Sequence, residues 1–191
     1  MTPPEPRRRS ATAHLAILEA TWEEVVEKGY AGLTVEGIAA RAGVGKQTVY
    51  RWWPSKAAVL LEALNARTAQ TSDFPDTGDI AADLEGQISG VAEFLAADGG
   101  VVFKALLAGA QADPELAEDI RRQVIGPRTQ ACADRLAKAQ AAGELRGDVD
   151  PVDVVELVYA PLYYRLVLGT RPVSAPDIRR QLHRVLAGLS A

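Results

Sequence analysis

The chain has 191 residues, a formal net charge of −4 and one Cys, which excludes an intrachain disulfide framework and is typical of a reducing cytosol. Its charges are segregated, because residues 1–60 hold eight Lys and Arg against six Asp and Glu, whereas the rest holds 13 against 19. This basic N-terminal excess is compatible with nucleic-acid binding, and no apolar run approaches the ~20 residues of a membrane-spanning helix, so we expect a cytoplasmic protein without membrane contact.

The chain is predicted to begin with an arm and a long helix. Residues 1–9 are rich in Pro and Arg, so we expect a flexible basic arm, which could lie in a DNA minor groove or only solubilise the chain. The spacing of apolar residues then predicts a first helix over residues 10–28 that ends at Gly29.

The next segment has the pattern of two short helices joined by a tight turn. Thr34 is a good N-cap for the first of them, and Gly43 suits the left-handed residue that ends it. The second runs from about Gly45 to Trp52 and must stop there, because Pro54 disfavours helical geometry at the residue before it. This layout predicts a helix-turn-helix, whose second helix enters the DNA major groove; an ordinary helical hairpin is the alternative.

The polar residues of this second helix can contact DNA, while Val49 and Trp53 are predicted to face the interior. Gln47 can form two hydrogen bonds with adenine, and Lys46 can reach guanine acceptors. Tyr50 is a better candidate for a phosphate contact, which sets register without reading sequence. The residues predicted to contact DNA are Thr34, Lys46, Gln47, Thr48, Tyr50, Arg51, Trp52 and Lys56.

The rest of the chain is also predicted to be helical. Turn-forming residues separate its helices, among them Gly99-Gly100 and Gly126-Pro127, and no alternating apolar run is long enough for a sheet. We therefore predict an all-α fold of about nine to ten helices. The later helices are expected over residues 55–70, 79–97, 100–111, 114–125, 127–142, 151–169 and 176–188.

The segment from about Ile17 to Leu64 resembles the DNA-binding domain of the TetR family of bacterial transcriptional repressors. The matching positions are Ala20–Trp22 and Val25 of the first helix, then Gly29-Tyr30, Thr34-Val35, Ile38-Ala39, Ala42-Gly43-Val44, Thr48-Val49-Tyr50 and Pro54-Ser55-Lys56. The chain departs at Gly45, where the family usually carries a Ser or Thr cap, and at Trp52, which could stack on the DNA backbone or pack. The resemblance implies that Lys56 contacts a phosphate.

The resemblance also implies a DNA-binding domain over residues 10–69 and a ligand-sensing and dimerisation domain over residues 70–191. The phrases LLAGAQADPELAE and APLYYRLVLG resemble one branch of the family. The implied function is a homodimeric repressor that binds a palindromic double-stranded operator and is released by a small hydrophobic ligand. An activator, an architectural DNA binder, or an all-α small-molecule-binding protein with an inactive helix-turn-helix are the alternatives.

The last two predicted helices carry apolar stripes that predict a dimer interface. The final helix has one continuous stripe, and the helix before it is apolar on nearly all faces, so we expect a partner subunit to cover part of them. The alternative is that both are buried within a monomer. The predicted interface residues are Leu157, Tyr164, Leu168, Ile178, Leu182, Val185, Leu186 and Leu189.

A ligand pocket is implied among the helices between residues 79 and 142, although residues of each candidate type are more often ordinary core than ligand contacts. The large or polar candidates are Phe94, Phe103, Leu106, Leu107, Gln111, Cys132, Tyr159 and Tyr163. Catalytic motifs are missing from the sequence, and the two His residues, His14 and His183, stand at opposite ends. We therefore expect no enzymatic activity, no cofactor and no metal site.

Overall fold

A computed structural model describes residues 6–69 and 74–189, and residues 1–5 of the predicted arm lie outside this part. The described residues form helices and connecting turns without a β-strand, which confirms the predicted all-α class. A π-helical segment, Arg121–Ile125, joins α7 to α8. The helices are α1 (Pro6–Gly32), α2 (Val35–Ala42), α3 (Lys46–Trp52), α4 (Lys56–Thr68), α5 (Ile80–Ala96), α6 (Asp98–Ala110), α7 (Pro114–Ile120), α8 (Gly126–Ala141), α9 (Pro151–Leu168) and α10 (Ala175–Ala187).

Helix α1 differs from its prediction at both ends. It begins at Pro6, so it includes part of the predicted arm, and it ends at Gly32 rather than before Gly29. Gly29 nevertheless interrupts regular helical geometry with a φ of 68° and a ψ of 176°, and the backbone becomes helical again after it. The positive φ is why glycine is suited to this position.

The two predicted glycine breaks also differ from the structure. Helix α6 begins at Asp98, so Gly99 and Gly100 lie in its first turn, where an added Cβ at Gly100 would stand 2.1 Å from the Leu95 carbonyl oxygen. The predicted interruption at Gly126-Pro127 is wrong, because the π-helical segment continues the helical path and the Gly126 N–H donates to the Arg121 carbonyl.

The chain forms two compact units. The first comprises the chain up to Arg67 together with Val101–Glu118, and the second comprises Thr68–Gly100 together with Asp119–Ala191. Val101–Glu118 therefore belongs with the N-terminal helices, whereas the sequence suggested a single boundary near residue 70. Among the described helices, none is both long and apolar enough to cross a membrane.

Each unit has its own apolar core. In the first unit the side chains that are almost completely buried include Ile17, Leu33, Ile38 and Leu60. In the second unit α5 packs against α10, α8 and α9, and α9 packs against α8 and α10. Its buried apolar side chains include Leu84, Ile88, Leu136, Leu162, Ile178 and Leu182.

The second unit also contains a buried ion pair between α5 and α8. The Asp83 side chain is 1% exposed and that of Arg135 is 4% exposed, and Arg135 Nε donates to Asp83 Oδ2 at 2.8 Å. Thr77 Oγ1 donates to Asp83 Oδ1 at 2.7 Å, and Arg135 Nε also contacts the Pro75 carbonyl at 3.2 Å. These contacts attach the segment before α5 to α8.

Candidate nucleic-acid interface

Helices α2 and α3 form the predicted two-helix arrangement with the predicted caps. Thr34 caps α2, since its hydroxyl accepts a hydrogen bond from the Gly37 N–H at 3.0 Å. Gly43 ends α2 in the left-handed region with a φ of 66°. Gly45 precedes α3 without a side-chain cap, which confirms that this helix lacks the usual Ser or Thr bond.

Helix α3 presents a polar face to solvent and an apolar face to the interior. Val49 and Trp53 are buried as predicted, being 0% and 4% exposed. The side chains of Lys46, Gln47, Tyr50 and Arg51 are exposed, and that of Thr48 is half-buried. The exposed face therefore offers donors and acceptors along its whole length, including the first turn, which reaches base edges in a helix-turn-helix.

An ion-pair cluster holds α2 against α1. Arg41 of α2 donates from Nε to Glu24 Oε1 at 2.9 Å and from Nη1 to Glu27 Oε1 at 2.9 Å. Glu24 is buried, and the hydrogen bond from Lys28 holds its pKa below the ordinary value. A Cβ at Gly37 would lie 2.8 Å from Glu24 Oε2, so the small residue allows this carboxylate to approach the first turn of α2.

Aromatic packing fixes the other end of α3. The His14 ring of α1 lies 5.5 Å from the Trp52 ring and 4.9 Å from the Trp53 ring, measured between centroids. Trp53 Nε1 donates to Glu62 Oε2 of α4 at 2.6 Å, and His14 Nε2 lies 2.8 Å from Glu62 Oε1. The sequence left two roles open for Trp52, stacking on the DNA backbone and packing. In the structure its ring packs against the protein.

Lys56 has a structural role that the sequence did not reveal. Its Nζ donates to the Tyr30 carbonyl at 3.0 Å and to the Leu33 carbonyl at 2.9 Å, and lies 4.6 Å from the Tyr30 ring centroid. These carbonyls belong to the C-terminal end of α1 and the residue following it, where a cation is favourable. The ammonium thus ties the start of α4 to the end of α1.

Replacing Lys56 by Met tests this structural role. We expect the variant to lose about 1–3 kcal/mol of unfolding free energy without DNA, because two carbonyls lose a charged donor. Denaturant titration followed by Trp fluorescence measures the change in the first unit, which contains Trp22, Trp52 and Trp53. The control Lys46→Met removes an exposed Lys from the same unit and should leave stability nearly unchanged. If both variants were equally stable, the structural role of Lys56 would be contradicted, and only its predicted contact with DNA would remain.

The sequence also missed Glu36 of α2, whose carboxylate contacts the Lys46 ammonium. Sequence spacing pairs residues on one helix at three or four positions apart, whereas these two are on different helices and 10 positions apart. Lys46, one of the residues predicted to contact DNA, is thus already paired with an acidic side chain.

The predicted dimer residues separate into two groups. Ile178, Leu182, Leu186 and Leu189 are between 1% and 9% exposed. These four residues belong to the core of the second unit, where α10 packs on α5. Their assignment to a dimer surface is therefore corrected, because their side chains are covered within the subunit. Val185 is half-buried.

The α9 residues of the predicted interface are exposed. Leu157, Tyr164 and Leu168 are 53%, 57% and 62% exposed, and Val167 beside them is 53% exposed. The first three recur at seven- and four-residue intervals, so they share one face of α9. This row of large apolar side chains, which we call the α9 stripe, is the part of the predicted interface that remains available for a partner.

The predicted pocket residues fall in both units. Phe94, Cys132, Tyr159 and Tyr163 belong to the second unit and are buried or half-buried. Phe103, Leu106, Leu107 and Gln111 belong to the first, and Gln111 is exposed, so it is removed from the candidates because its side chain faces solvent.

A polar group lies inside the second unit. The Tyr159 hydroxyl donates to the Gln87 side-chain oxygen, and burial raises the pKa of Tyr159. Burial also raises the pKa of the neighbouring Cys132 thiol to about 12. The thiol therefore stays protonated at neutral pH and acts as a small buried hydrophobe rather than as a redox sensor.

The fold and this interface define a helix-turn-helix protein with an additional helical unit. The profile described as "Bacterial regulatory proteins, tetR family" matches residues 17–63, and that described as "Tetracyclin repressor-like, C-terminal domain" matches residues 74–185. The chain belongs to the TetR family, and it is a DNA-binding transcriptional regulator.

Related proteins match over nearly the whole length. The chain is 34% identical to the HTH-type transcriptional regulator YdeS of Bacillus subtilis (strain 168), over 97% of this chain and 93% of that protein. It is 29% identical to the DNA-binding transcriptional repressor TetR of Mycobacteroides abscessus, over 84% and 85% of the two chains. The crystal structure of the TetR family regulator SCO0332 has a TM-score of 0.76 at 32% identity, over 94% of this chain and 99% of that one.

Proposed function

We propose that the protein is a repressor that binds a palindromic operator as a homodimer in the cytoplasm and is released by a small hydrophobic ligand. The observation that carries the DNA-binding part is the exposed polar face of α3, which is supported by α1, α2 and α4. We also infer that the chain has no enzymatic activity, in keeping with the naming of its relatives as transcriptional regulators.

In the proposed complex the first turn of α3 enters the major groove. Lys46 and Gln47 are exposed there and would contact base edges, while Tyr50 and Arg51 would contact the phosphates on either side. The Thr34 hydroxyl already caps α2. The contact proposed at Thr34 is therefore made by the N-terminal end of α2, where a phosphate is favoured.

The homodimer is supported by the α9 stripe. Its side chains are more than half exposed, although the other large apolar residues of α9 and α10 are mostly buried. A stripe of this kind suits an isologous two-fold contact, in which α9 of one subunit faces α9 of the other. Two copies of α3 would then stand at a fixed separation that matches a palindromic site.

The ligand site is proposed in the second unit around Tyr159 and Gln87. A hydrogen-bonded hydroxyl and amide in the interior of this unit can orient a ligand whose body is hydrophobic. A ligand that favours one separation of the two α3 helices would change operator affinity by its differential affinity for the two states, typically by about 5–150-fold.

The proposal is tested with a duplex that the purified protein enriches from a random-sequence pool. We expect a palindrome, bound by two subunits, with log K falling against log salt concentration at a slope of several units. A shuffled duplex of equal length and composition is the control. Equal binding to both duplexes at physiological salt would contradict operator recognition.

The same complex tests the ligand. Long-chain fatty acids, as hydrophobic probes, are titrated with and without the enriched duplex, following Trp fluorescence and DNA affinity together. The factor by which a probe weakens DNA binding must equal the factor by which DNA weakens probe binding. A probe that binds the protein but leaves duplex affinity unchanged would contradict release by that class of ligand.

A further inference from the structure

The ammonium of Lys46 is engaged by two groups in the free protein. Lys46 is the first residue of α3, and its Nζ contacts Glu36 Oε1 of α2. The same Nζ lies 5.6 Å from the centroid of the Tyr50 ring, one helical turn further along α3, within range of a cation–π contact. A carboxylate and an aromatic face thus fix the position of this side chain.

This pair lies on the exposed surface and is charged at neutral pH. The side chains of Lys46 and Glu36 are 48% and 63% exposed. Their hydrogen bond lowers the pKa of Glu36 and raises the pKa of Lys46, so both groups stay ionised. An exposed ion pair contributes little to folding stability, so the stabilising role left to Glu36 is its place in the first turn of α2, where an acid is favourable.

The partner of Glu36 distinguishes it from the acids of α1. Glu23 and Glu27 pair with Arg41 of α2, and Glu19 pairs with Arg67 of α4. Those pairs join α1 to α2 or α4, whereas Glu36 pairs with a residue of the proposed recognition surface. Its negative charge lies beside that surface, where DNA phosphates would repel it.

We propose that Glu36 is a specificity-determining residue, which withholds the Lys46 ammonium from phosphates so that α3 prefers its operator over other duplexes. This inference rests on the proposed function. On a non-operator duplex a phosphate is the partner that Lys46 could gain, and reaching it separates the ion pair and brings the Glu36 carboxylate towards negative charge. A guanine edge carries no net charge, so Lys46 can contact it without the same repulsion of Glu36.

The test compares Glu36→Gln with wild type on the enriched and the shuffled duplex over a range of salt concentrations. We expect the variant to bind the shuffled duplex about 3–10-fold more tightly at low salt, and the operator by a smaller factor. The salt slope for the shuffled duplex should steepen by about 0.9 for each bound subunit, the value for one additional neutralised phosphate.

Two further variants separate the proposed pairing from a general change of charge. Glu19→Gln removes the same charge from the first unit, at a side chain that is 60% exposed, and should change both affinities equally. In a Lys46→Met background, Glu36→Gln should no longer steepen the salt slope, because the released ammonium is missing. Thermal unfolding of all variants checks that the fold is retained.

The outcomes distinguish this inference from the proposed function. An unchanged affinity ratio in Glu36→Gln would overturn the inference, as would an effect that persists fully in Lys46→Met or that Glu19→Gln reproduces. The proposed function fails instead when wild-type protein enriches no palindrome, a result that is obtained before any variant is measured.

Discussion

Asp83→Ala is expected to lower the free energy of unfolding by about 3–5 kcal/mol, the range for removing one partner of a buried ion pair. The substitution leaves the Arg135 guanidinium, 4% exposed, without its closest carboxylate. It also removes Asp83 Oδ1, which accepts the hydrogen bond that Thr77 Oγ1 donates at 2.7 Å. The loss therefore combines a buried guanidinium that keeps only the more distant carboxylates of Asp76 and Glu144 with a released connecting segment.

Two comparisons isolate the buried charge as the cause. Asp76→Ala removes a carboxylate that is 3.7 Å from Arg135 but 52% exposed, so we expect a change within about 1 kcal/mol. The double variant Asp83→Leu/Arg135→Met removes both charges and should be more stable than Asp83→Ala. Far-UV circular dichroism reports the whole chain, while Trp fluorescence reports the first unit. A loss no greater than that of Asp76→Ala would contradict the prediction.

The effect of Asp83→Ala should also depend on pH. Burial favours the neutral acid, but hydrogen bonds from Thr77 and Arg135 outweigh it, so the pKa of Asp83 is lowered from 3.8. A group with a lowered folded pKa contributes stability above its unfolded pKa and loses it as pH falls through the folded value. The difference between wild type and variant should therefore shrink below pH 3.8.

Local sequence signals predicted the helices and the helix-turn-helix surface well. Thr34 and Gly43 have strong local preferences for cap positions, and the spacing of Val49 and Trp53 identified the buried side of α3. Such preferences act over a few residues, which is why α2 and α3 were predicted almost to the residue. The start of α1 and the continuous helical path through Gly126 depend on wider context and were not predicted.

The contacts between helices could not be predicted in the same way. Lys56 reaches carbonyls 23 and 26 positions earlier, and no spacing rule connects a lysine to backbone so distant in sequence. The α10 stripe illustrates a related ambiguity, since the sequence shows that an apolar face must be covered but not by which chain. In the structure α5 covers it, so of the predicted interface residues those of the α9 stripe are left for a partner.

Tyr164→Glu is expected to convert the proposed dimer into a monomer and to weaken operator binding by about 10²–10⁴-fold. Tyr164 is 57% exposed, and its position between Leu157 and Leu168 places it at the centre of the α9 stripe. Two-fold symmetry would bring the two introduced carboxylates near one another inside an apolar contact, where both charge repulsion and lost hydration oppose association. A monomer binds each half-site independently and loses the effective concentration that linkage provides.

Sedimentation velocity measures the assembly, and titration of the enriched duplex measures the affinity. Val101→Glu is the matched control, because Val101 is 40% exposed on α6 rather than α9, and it should remain dimeric. Leu186→Glu should behave differently from both, since Leu186 is 7% exposed and its replacement lowers stability before it affects association. Unchanged Trp fluorescence in Tyr164→Glu would show that the first unit stays folded. A folded Tyr164→Glu that still sediments as a dimer would place the subunit interface away from the α9 stripe.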